Sequence, residues 1–371
     1  MKNYKLNVEM TKKIALITGI TGQDGTYLTK LLLSKGYEVH GMQRRTSRLN
    51  NVRMDSIQWE AMAANRQLFT HFGDLSDAGM LIKLVQQIQP DEVYHLAAMS
   101  HVQVSFDQPE YTADINATGT LRLLEAIKIA GLCQKTKFYQ ASTSELFGNA
   151  GRSPQGEATP FHPTSPYAIS KLFAYWMTTN YRNSYGLFAC NGILFNHESP
   201  LRDESFVTRK ITMSVAKIGL GIQKTLYLGN LNAKRDWGHA EDYVEAMWLM
   251  LQKNKPDDYV IATGISTSVR EFVEKSFDII GIKLQFEGTG TDEKGYCLSS
   301  QNSLYPVEKN SLLVAIDPQF YRPTDIDWLI GDTKKAKKDL HWEARTSIDC
   351  LVHEMVTSDI QSVLNQITTV K

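Results

Sequence analysis

Tyr167 and Lys171 stand four residues apart in the stretch Tyr-Ala-Ile-Ser-Lys. On a helix that spacing puts both side chains on one face. An ammonium beside a phenol favours the phenolate, so the pair has the makings of a general base working near neutrality. Thr143 and Glu145 lie upstream, two residues apart, just past a predicted strand. In extended backbone they face the same side. The hydroxyl is then placed to bond a substrate oxygen, and the carboxylate to take a proton from carbon. Each pair has a plain alternative: Tyr167 and Lys171 as surface neighbours, Ser142 to Ser144 as hydroxyls satisfying a loop, Glu145 as a solvated charge. Only a scaffold that brings both pairs to one ligand turns them into chemistry.

Gly19, Gly22 and Gly25 suggest that scaffold. They lie between a predicted strand, Ile14 to Ile17, and a helix expected over Tyr27 to Lys35 and ended by Gly36. Glycines so placed let the chain turn tightly and approach a pyrophosphate at the helix N-terminus. The spacing differs by one residue from G-x-G-x-x-G, but its place in the first strand–turn–helix unit points to a dinucleotide, with Thr21, Gln23 and Asp24 in the same turn. The second strand, Tyr37 to Met42, runs into Gln43-Arg44-Arg45-Thr46-Ser47. A carboxylate there would accept from the ribose hydroxyls of NAD, whereas arginine accommodates a 2′-phosphate. No carboxylate occurs before Asp55, so NADP is favoured. Asp74 and Leu75, after a third strand at Leu68 to Phe72, fall where the adenine would lie, although Asp74 has the alternative of capping the next helix. Leu96, Ala97 and Ala98 close a fourth strand begun at Glu92, and the alanines are small enough to let a cofactor pass.

The alternation continues. A helix through Met80, Leu84 and Ile88 stops near Pro90, and another spans Asn116 to Ala130. A strand follows at Lys137 to Ala141, then a helix over Tyr167 to Tyr185 opened by Ser165-Pro166, then a strand at Leu187 to Phe195. Strands alternating with helices imply an α/β protein with a Rossmann-like, doubly wound parallel sheet. Beyond Phe195 the rhythm changes. Glu198-Ser-Pro200 opens an irregular segment, helices are expected at Val207 to Ile218 and Trp237 to Leu251, and a strand at Tyr259 to Ala262. Residues 288–322 read as long loops. The expected organisation is an NADP-binding domain over 12–195, revisited at about 225–262. A smaller mixed α/β substrate lobe covers 196–224 and 263–371, with the site in the cleft between.

Lys+Arg and Asp+Glu both number 40, and this balance argues against nucleic acid as a partner, which would call for a basic excess. No apolar run approaches the ~20 residues needed to span a bilayer. The N-terminal decapeptide has no apolar stretch of the signal-peptide kind. Cys133, Cys190, Cys297 and Cys350 are far apart and form no metal-type pair, so reduced thiols in the cytoplasm and no bound metal are expected.

With these motifs assembled, the chain resembles the extended short-chain dehydrogenase/reductase family, and within it the GDP-mannose 4,6-dehydratases, from about Lys13 onward. Gly19-Ile-Thr-Gly-Gln-Asp24, Arg44-Arg-Thr-Ser47, Ala98-Met-Ser-His101, Ser142-Thr-Ser-Glu-Leu-Phe-Gly148, Phe195-Asn-His-Glu-Ser-Pro200, Arg235-Asp-Trp-Gly-His239 and Phe320-Tyr-Arg-Pro323 carry the likeness. It implies a catalytic set of Thr143, Glu145, Tyr167 and Lys171. It implies cofactor positions at Gly19 to Gly25, Arg44 to Ser47, Asp74, Leu75, Leu96 to Ser100 (Met99 included) and Tyr111, with His197 and Arg202 also at site positions. It further implies a homo-oligomer, tetramer favoured, with the Arg44 to Arg53 loop reaching a neighbour. Related dTDP-glucose dehydratases carry Asp-Glu where this chain has Ser144-Glu145, which disfavours a dTDP-sugar and removes one acid for a departing hydroxyl. A GDP-sugar would need cations in the smaller lobe; Lys210, Arg235 and Arg322 are the candidates, arginine being suited to bidentate phosphate contact. Asn196 and Ser100 are further substrate-side candidates.

The chemistry so implied is loss of water from a hexose carbon 6 after transient oxidation at carbon 4, with the reducing equivalent returned at carbon 6. Readings left open are a nucleotide-sugar 4-reductase or epimerase on the same scaffold, which needs Tyr167 and Lys171 but no base at Glu145; a dehydratase for a related manno-configured sugar such as a heptose; and a non-catalytic NADPH-sensing regulator.

Overall fold

The computed structural model describes residues 12–45, 57, 60–62, 64, 66–151, 153–320, 326 and 328–369. Strand β1 (Ile14–Thr18) leads through the glycine turn into helix α1 (Gln23–Ser34). Strands β2 (Glu38–Gln43) and β3 (Leu68–Phe72) follow, then α2 (Ala78–Ile88), β4 (Glu92–His95), and the short helices α3 (Val102–Asp107) and α4 (Pro109–Ala113). A wide turn at Asp114–Thr118 runs on into α5 (Gly119–Ile129), so the predicted single helix is interrupted at its start. Strand β5 (Lys137–Thr143), helix α6 (Pro166–Tyr185) and strand β6 (Phe188–Leu194) complete the alternation. Seven strands, with β11 (Tyr259–Ile261) joining last, form one parallel sheet in the order β11-β6-β5-β4-β1-β2-β3.

The sheet is buried on both faces, as crossover helices require. One face packs α1 through Leu28 and Leu32; the other packs α2 and α5 through Leu81, Leu84, Leu123 and Ile127. A buried ion pair fixes α6 against β6: the Asp258 carboxylate accepts from both terminal nitrogens of Arg182 at 2.9 Å, from the Asn191 backbone at 2.9 Å and from the Tyr175 hydroxyl at 3.0 Å. Such a bidentate pair holds geometry as well as charge. It orients the helix that carries Tyr167 and Lys171.

Past β6 the chain makes β7 (Asn196–Glu198) and α7 (Val207–Gly219), then β8 (Leu226–Leu228), β9 (Lys234–Arg235) and β10 (Trp237–His239). The expected helix from Trp237 therefore starts three residues late. Trp237 to His239 pair with β7, and the His239 ring caps α8 (Ala240–Gln252) by accepting from the Glu241 amide. After β11 come β12 (Thr267–Ser268), α9 (Val269–Ile279), β13 (Ile282–Glu287), β14 (Lys294–Ser300), β15 (Leu312–Ile316) and the last helix α10 (Ile348–Thr369).

The second sheet runs β13-β14-β15-β8, antiparallel except for β15 with β8. Two expectations change here. Residues 288–322 contain two strands rather than loops alone, because their edges are satisfied by β13 and β8. The return to the large sheet begins with α8, not at about 225, since β8 belongs to the small sheet. The smaller lobe is closed by Phe272, Phe277, Val314, Leu351 and Met355 in one core. Ala336, Leu340 and Trp342 instead pack on the large lobe beside α1 and α8, so the C-terminal stretch visits both.

Candidate active site

The site lies at the carboxyl ends of the large sheet, where the strand order reverses between β1 and β4. Gly19 has φ +74°, and a Cβ there would sit 2.8 Å from the Ala97 backbone nitrogen. A Cβ on Gly25 would meet the Gly19 carbonyl oxygen at 2.5 Å. Both positions require glycine, the first for its left-handed backbone and both for close approach. Gly22 caps α1 without a side-chain hydrogen bond, which leaves that helix end open to an anion.

A cavity of about 890 Å³ opens beside this turn and runs between the lobes. Gly19, Gly22, Gln23, Asp24 and Gly25 form one wall, with Leu96, Ala98 and Ser100 from the loop after β4. Thr143, Glu145, Tyr167 and Lys171 share the same space, so the two pairs that stood apart in sequence meet. Asn196, His197, Arg202, Lys210 and Arg235 line the side toward the smaller lobe.

Local chemistry explains the convergence. Thr143 is the last residue of β5 and the cap of the tight turn Ser144–Phe147, its oxygen accepting from the Glu145 amide at 3.2 Å. That turn swings Glu145 inward to near-complete burial. Ser165 caps α6 by accepting from the Ala168 amide and Pro166 opens it, so Tyr167 sits in the first turn with Lys171 one turn on.

Other expected residues lie elsewhere. Thr21, Ala97 and Met99 do not line the cavity, although each adjoins a residue that does. Arg44 and Arg45 are exposed at the end of β2, Arg44 donating to the Tyr111 hydroxyl at 2.7 Å and Arg45 lying over the Phe72 ring at 4.8 Å. Asp74 does not cap α2; its carboxylate accepts from the Ser76 amide and hydroxyl, and Asp77 is the cap. The Leu75 side chain turns into the core against Gly119, and its carbonyl accepts from Arg122 at 3.2 Å. Arg235 gives one guanidinium nitrogen to the carbonyls of Lys234 and Ile326, at 2.9 and 2.6 Å, so that nitrogen is committed to the fold. Thr46, Ser47 and Arg322 lie outside the described residues.

The charges differ from the sequence expectation in one respect. Burial pushes the Tyr167 phenol up to about 12, a hydrogen bond with Thr143 pulling against it. Lys171 does not bring that phenol down here: its ammonium donates to the Ala141 carbonyl at 3.0 Å and lies 6.0 Å from the phenol ring centroid. Burial lowers Lys171 to about 8, with Asp24 opposing. Lys210 is lowered to about 8 by its own burial against the pull of Asp317, and it sits over the Phe320 ring at 3.2 Å.

Sequence reasoning missed several lining groups. His101 and Phe206 face one another across the cavity with ring centroids 5.3 Å apart, and Glu198 lies 3.1 Å from the Arg202 guanidinium. The signal was present, since His101 and Glu198 belong to motif stretches already singled out. Among the described residues no group of three or more His, Cys, Asp or Glu is placed to hold a metal ion, and no helix is long and apolar enough to cross a membrane.

A family model described as GDP-mannose 4,6 dehydratase matches residues 16–355. The chain belongs to that family. It is 54% identical over 353 residues to a GDP-mannose 4,6-dehydratase of Vibrio cholerae serotype O1, covering 95% of each chain. It is also 54% identical to a GDP-mannose 4,6 dehydratase of Homo sapiens, covering 94% of this chain and 92% of that one. Among solved structures, a Thermotoga maritima UDP-glucose 4-epimerase with UDP-glucose superposes with TM-score 0.76 at 23% identity, covering 94% of this chain and 99% of that one. DesIV, a dTDP-glucose 4,6-dehydratase of Streptomyces venezuelae with NAD and TYD bound, gives 0.72 at 22%, covering 93% and 96%. At those identities the likeness establishes a shared fold, and the family assignment rests on the closer relatives.

A hydrogen-bonded pair links the two lobes of this dehydratase-family site. His197 faces Asp24 through Nε2 at 2.8 Å and the Phe195 carbonyl through Nδ1 at 2.8 Å, so both ring nitrogens meet acceptors. Burial alone would lower His197, but Asp24 outweighs it and raises the ring above its ordinary 6.5; burial would raise Asp24, but His197 holds it below 3.8. The raised His197 value stabilises the fold fully below pH 6.5 and loses that contribution as pH rises through the folded value. The lowered Asp24 value contributes above pH 3.8 and is lost as pH falls through its own. In Asp24→Asn, NMR should show the His197 ring titrating at lower pH, and the denaturation midpoint should change less with pH above 6.5. An unchanged His197 titration would contradict the pairing.

Proposed function

We propose that the protein converts GDP-mannose to GDP-4-keto-6-deoxy-mannose, using NADP as a cofactor that is regenerated in each cycle. The observation that carries this reading is the meeting of Thr143, Glu145, Tyr167 and Lys171 in the cavity that also holds the glycine turn. A base for a sugar hydroxyl and a separate carboxylate for a carbon acid are what elimination needs and what a simple reductase or epimerase does not. The glycine cradle at Gly19 and Gly25 and the uncapped start of α1 fit a dinucleotide pyrophosphate.

Bound along that wall, the nicotinamide supplies the hydride acceptor for carbon 4 and the donor for carbon 6. Tyr167 Oη takes the proton of the 4-hydroxyl. To do so it first releases its own phenolic proton to solvent, and the charge of Lys171, one helical turn on, offsets the phenolate that then accepts the hydroxyl proton. Thr143 holds the phenol and the substrate oxygen in register. With carbon 4 oxidised, the carbon 5 hydrogen is acidic, and Glu145 removes it. Ser144 supplies no carboxylic acid, so Glu145 delivers the proton to the departing 6-hydroxyl, one carboxyl serving both halves of the elimination. When carbon 6 is then reduced, carbon 5 takes a proton from solvent by way of Glu145. Arg235 and Lys210 hold the nucleotide phosphates, and Asn196, whose side-chain oxygen is buried without a partner, accepts from the sugar. Enclosure between the lobes keeps water from the intermediate.

The two roles separate by mutation. Tyr167→Phe should abolish reduction of the bound cofactor when GDP-mannose is added. Glu145→Gln should still oxidise carbon 4 while turnover falls at least ~100-fold, the lower end of what loss of a general base costs. Glu145→Gln forming product at the normal rate would refute the assignment.

The preference for NADP is supported by Arg44 and Arg45, both exposed at the end of β2. NADP should bind more tightly than NAD, and Arg44→Ala should erode the difference; equal affinities in the unmodified protein would overturn it.

We also propose a homo-oligomer, a tetramer being favoured. Ile169, Phe173 and Trp176 recur at helical spacing on α6 and are exposed, an apolar stripe that a second copy would cover. Light scattering should find a species larger than a monomer at micromolar concentration, and a monomer alone would contradict this. A cytoplasmic location accords with four unpaired thiols, Cys133, Cys190, Cys297 and Cys350.

A further inference from the structure

Between β7 and α7 the chain crosses the mouth of the cavity as a strap, residues 199–206. Arg202, Glu204, Ser205 and Phe206 from this segment line the cavity, and Phe206 faces His101 on the opposite lobe. The strap has little structure of its own. Its internal hydrogen bonds are short local turns: the Arg202 amide to the Ser199 carbonyl, 3.0 Å, the Leu201 amide to the Ser199 hydroxyl, 3.0 Å, the Phe206 amide to the Asp203 carbonyl, 3.1 Å, and the Ser205 amide and hydroxyl to the Asp203 carboxylate, 3.0 and 2.7 Å. Ser199 at its start donates to Gln23 Oε1 at 2.7 Å. Something else must hold it.

The hold comes from Arg209 in the first turn of α7. One terminal nitrogen of its guanidinium donates to the carbonyls of Pro200 and Arg202, the latter at 3.1 Å. The other edge of the fork faces Asp359 in the middle of α10, Nε at 3.0 Å from Oδ2 and Nη2 at 2.6 Å from Oδ1. Thr212 donates its hydroxyl to the same carboxylate at 2.6 Å. Asp359 is fully buried and Arg209 nearly so. A planar fork with one edge on a carboxylate and the other on two loop carbonyls fixes direction as well as distance.

We infer that Asp359, on the last helix and away from the cavity lining, is a positioning residue: by orienting Arg209 it sets the strap, and through the strap the placing of Arg202 and Phe206 at the cavity mouth. This rests on the nucleotide-sugar reading of the cavity. If the pair served only to join α7 to α10, it would have no use for the carbonyls of Pro200 and Arg202. Those two bonds tie it to the strap instead. Arg202 in turn keeps its guanidinium 3.6 Å from the Phe206 ring centroid and 3.1 Å from Glu198, so displacement of the strap moves charge beside the Asp24–His197 pair.

Two variants separate positioning from stability. Arg209→Lys keeps a charge for Asp359 but loses the fork, so it should release the Pro200 and Arg202 carbonyls while α7 and α10 stay docked. Asp359→Asn keeps the shape and weakens the orientation of Arg209. In both, hydrogen exchange in segment 200–206 should quicken about tenfold, the expected size for loss of a charge-assisted hydrogen bond, with α10 exchange changing less. KM for GDP-mannose should rise about tenfold while kcat stays within about threefold, since misplacement of a binding element acts first on binding. Unchanged strap exchange and unchanged KM, with only a lower melting temperature, would overturn the inference. Exchange reads the strap whatever the substrate, so quickened exchange in a protein whose unmodified form does not turn over GDP-mannose would sustain the positioning role and refute the substrate reading instead.

Discussion

Between β1 and β4 the backbones come so close that Gly19 has no room for a side chain beside Ala97. That contact sets where α1 begins, and the start of α1 sets the wall against which everything else in the cavity is arranged. On one side of it the fifth strand ends at Thr143 and turns Glu145 inward; on the other, β7 brings His197 to Asp24. The groups lining the cavity come from strand ends and helix starts along most of the chain, from Gly19 to Phe320. A parallel sheet whose order reverses at one point is what lets them converge.

Charge is arranged about the same wall. The cavity contains a buried ammonium lowered to about 8, a phenol raised to about 12, and an imidazole that its carboxylate partner favours as a cation. The phenol is therefore held in its protonated form by burial, and the base role proposed for Tyr167 requires that proton to be lost first. Asp24, which sequence motifs place beside a pyrophosphate, is neutralised by His197, so its negative charge does not stand against an anion at the same helix end.

Much of this is legible in the residues. Strand β3 has the limits expected from sequence, and the helix from Tyr167 to Tyr185 differs by one residue, because Ser165, Pro166 and Gly186 punctuate it locally. The four candidate catalytic residues are legible as two pairs, and the alternation of strands and helices implies that strand ends bring them together. The smaller lobe is not legible. Gly295 and Cys297 are the buried positions of β14, a pattern too weakly apolar to announce a strand, and only pairing with β13 and β15 makes one. Trp237 to His239 has apolar spacing that suits the following helix equally well, and tertiary pairing with β7 decides. Leu75 and Arg235 sit at motif positions, yet packing turns one side chain inward and backbone carbonyls claim part of the other. The depth of burial around Tyr167 is also non-local, and it reverses the direction of its pKa shift from that implied by Lys171 alone.

A single closed site that oxidises carbon 4 and reduces carbon 6, with elimination between, must pass the same hydrogen from one carbon to the other. GDP-mannose carrying deuterium at carbon 4, mixed with an equal amount of undeuterated substrate in which the hexose is marked by carbon-13, exposes that transfer in the mass spectrum of the product. Deuterium should appear on carbon 6 of the same molecules that lost it from carbon 4, with the carbon-13 product free of it. Deuterium shared between the two products, or lost altogether, would contradict transfer within one site.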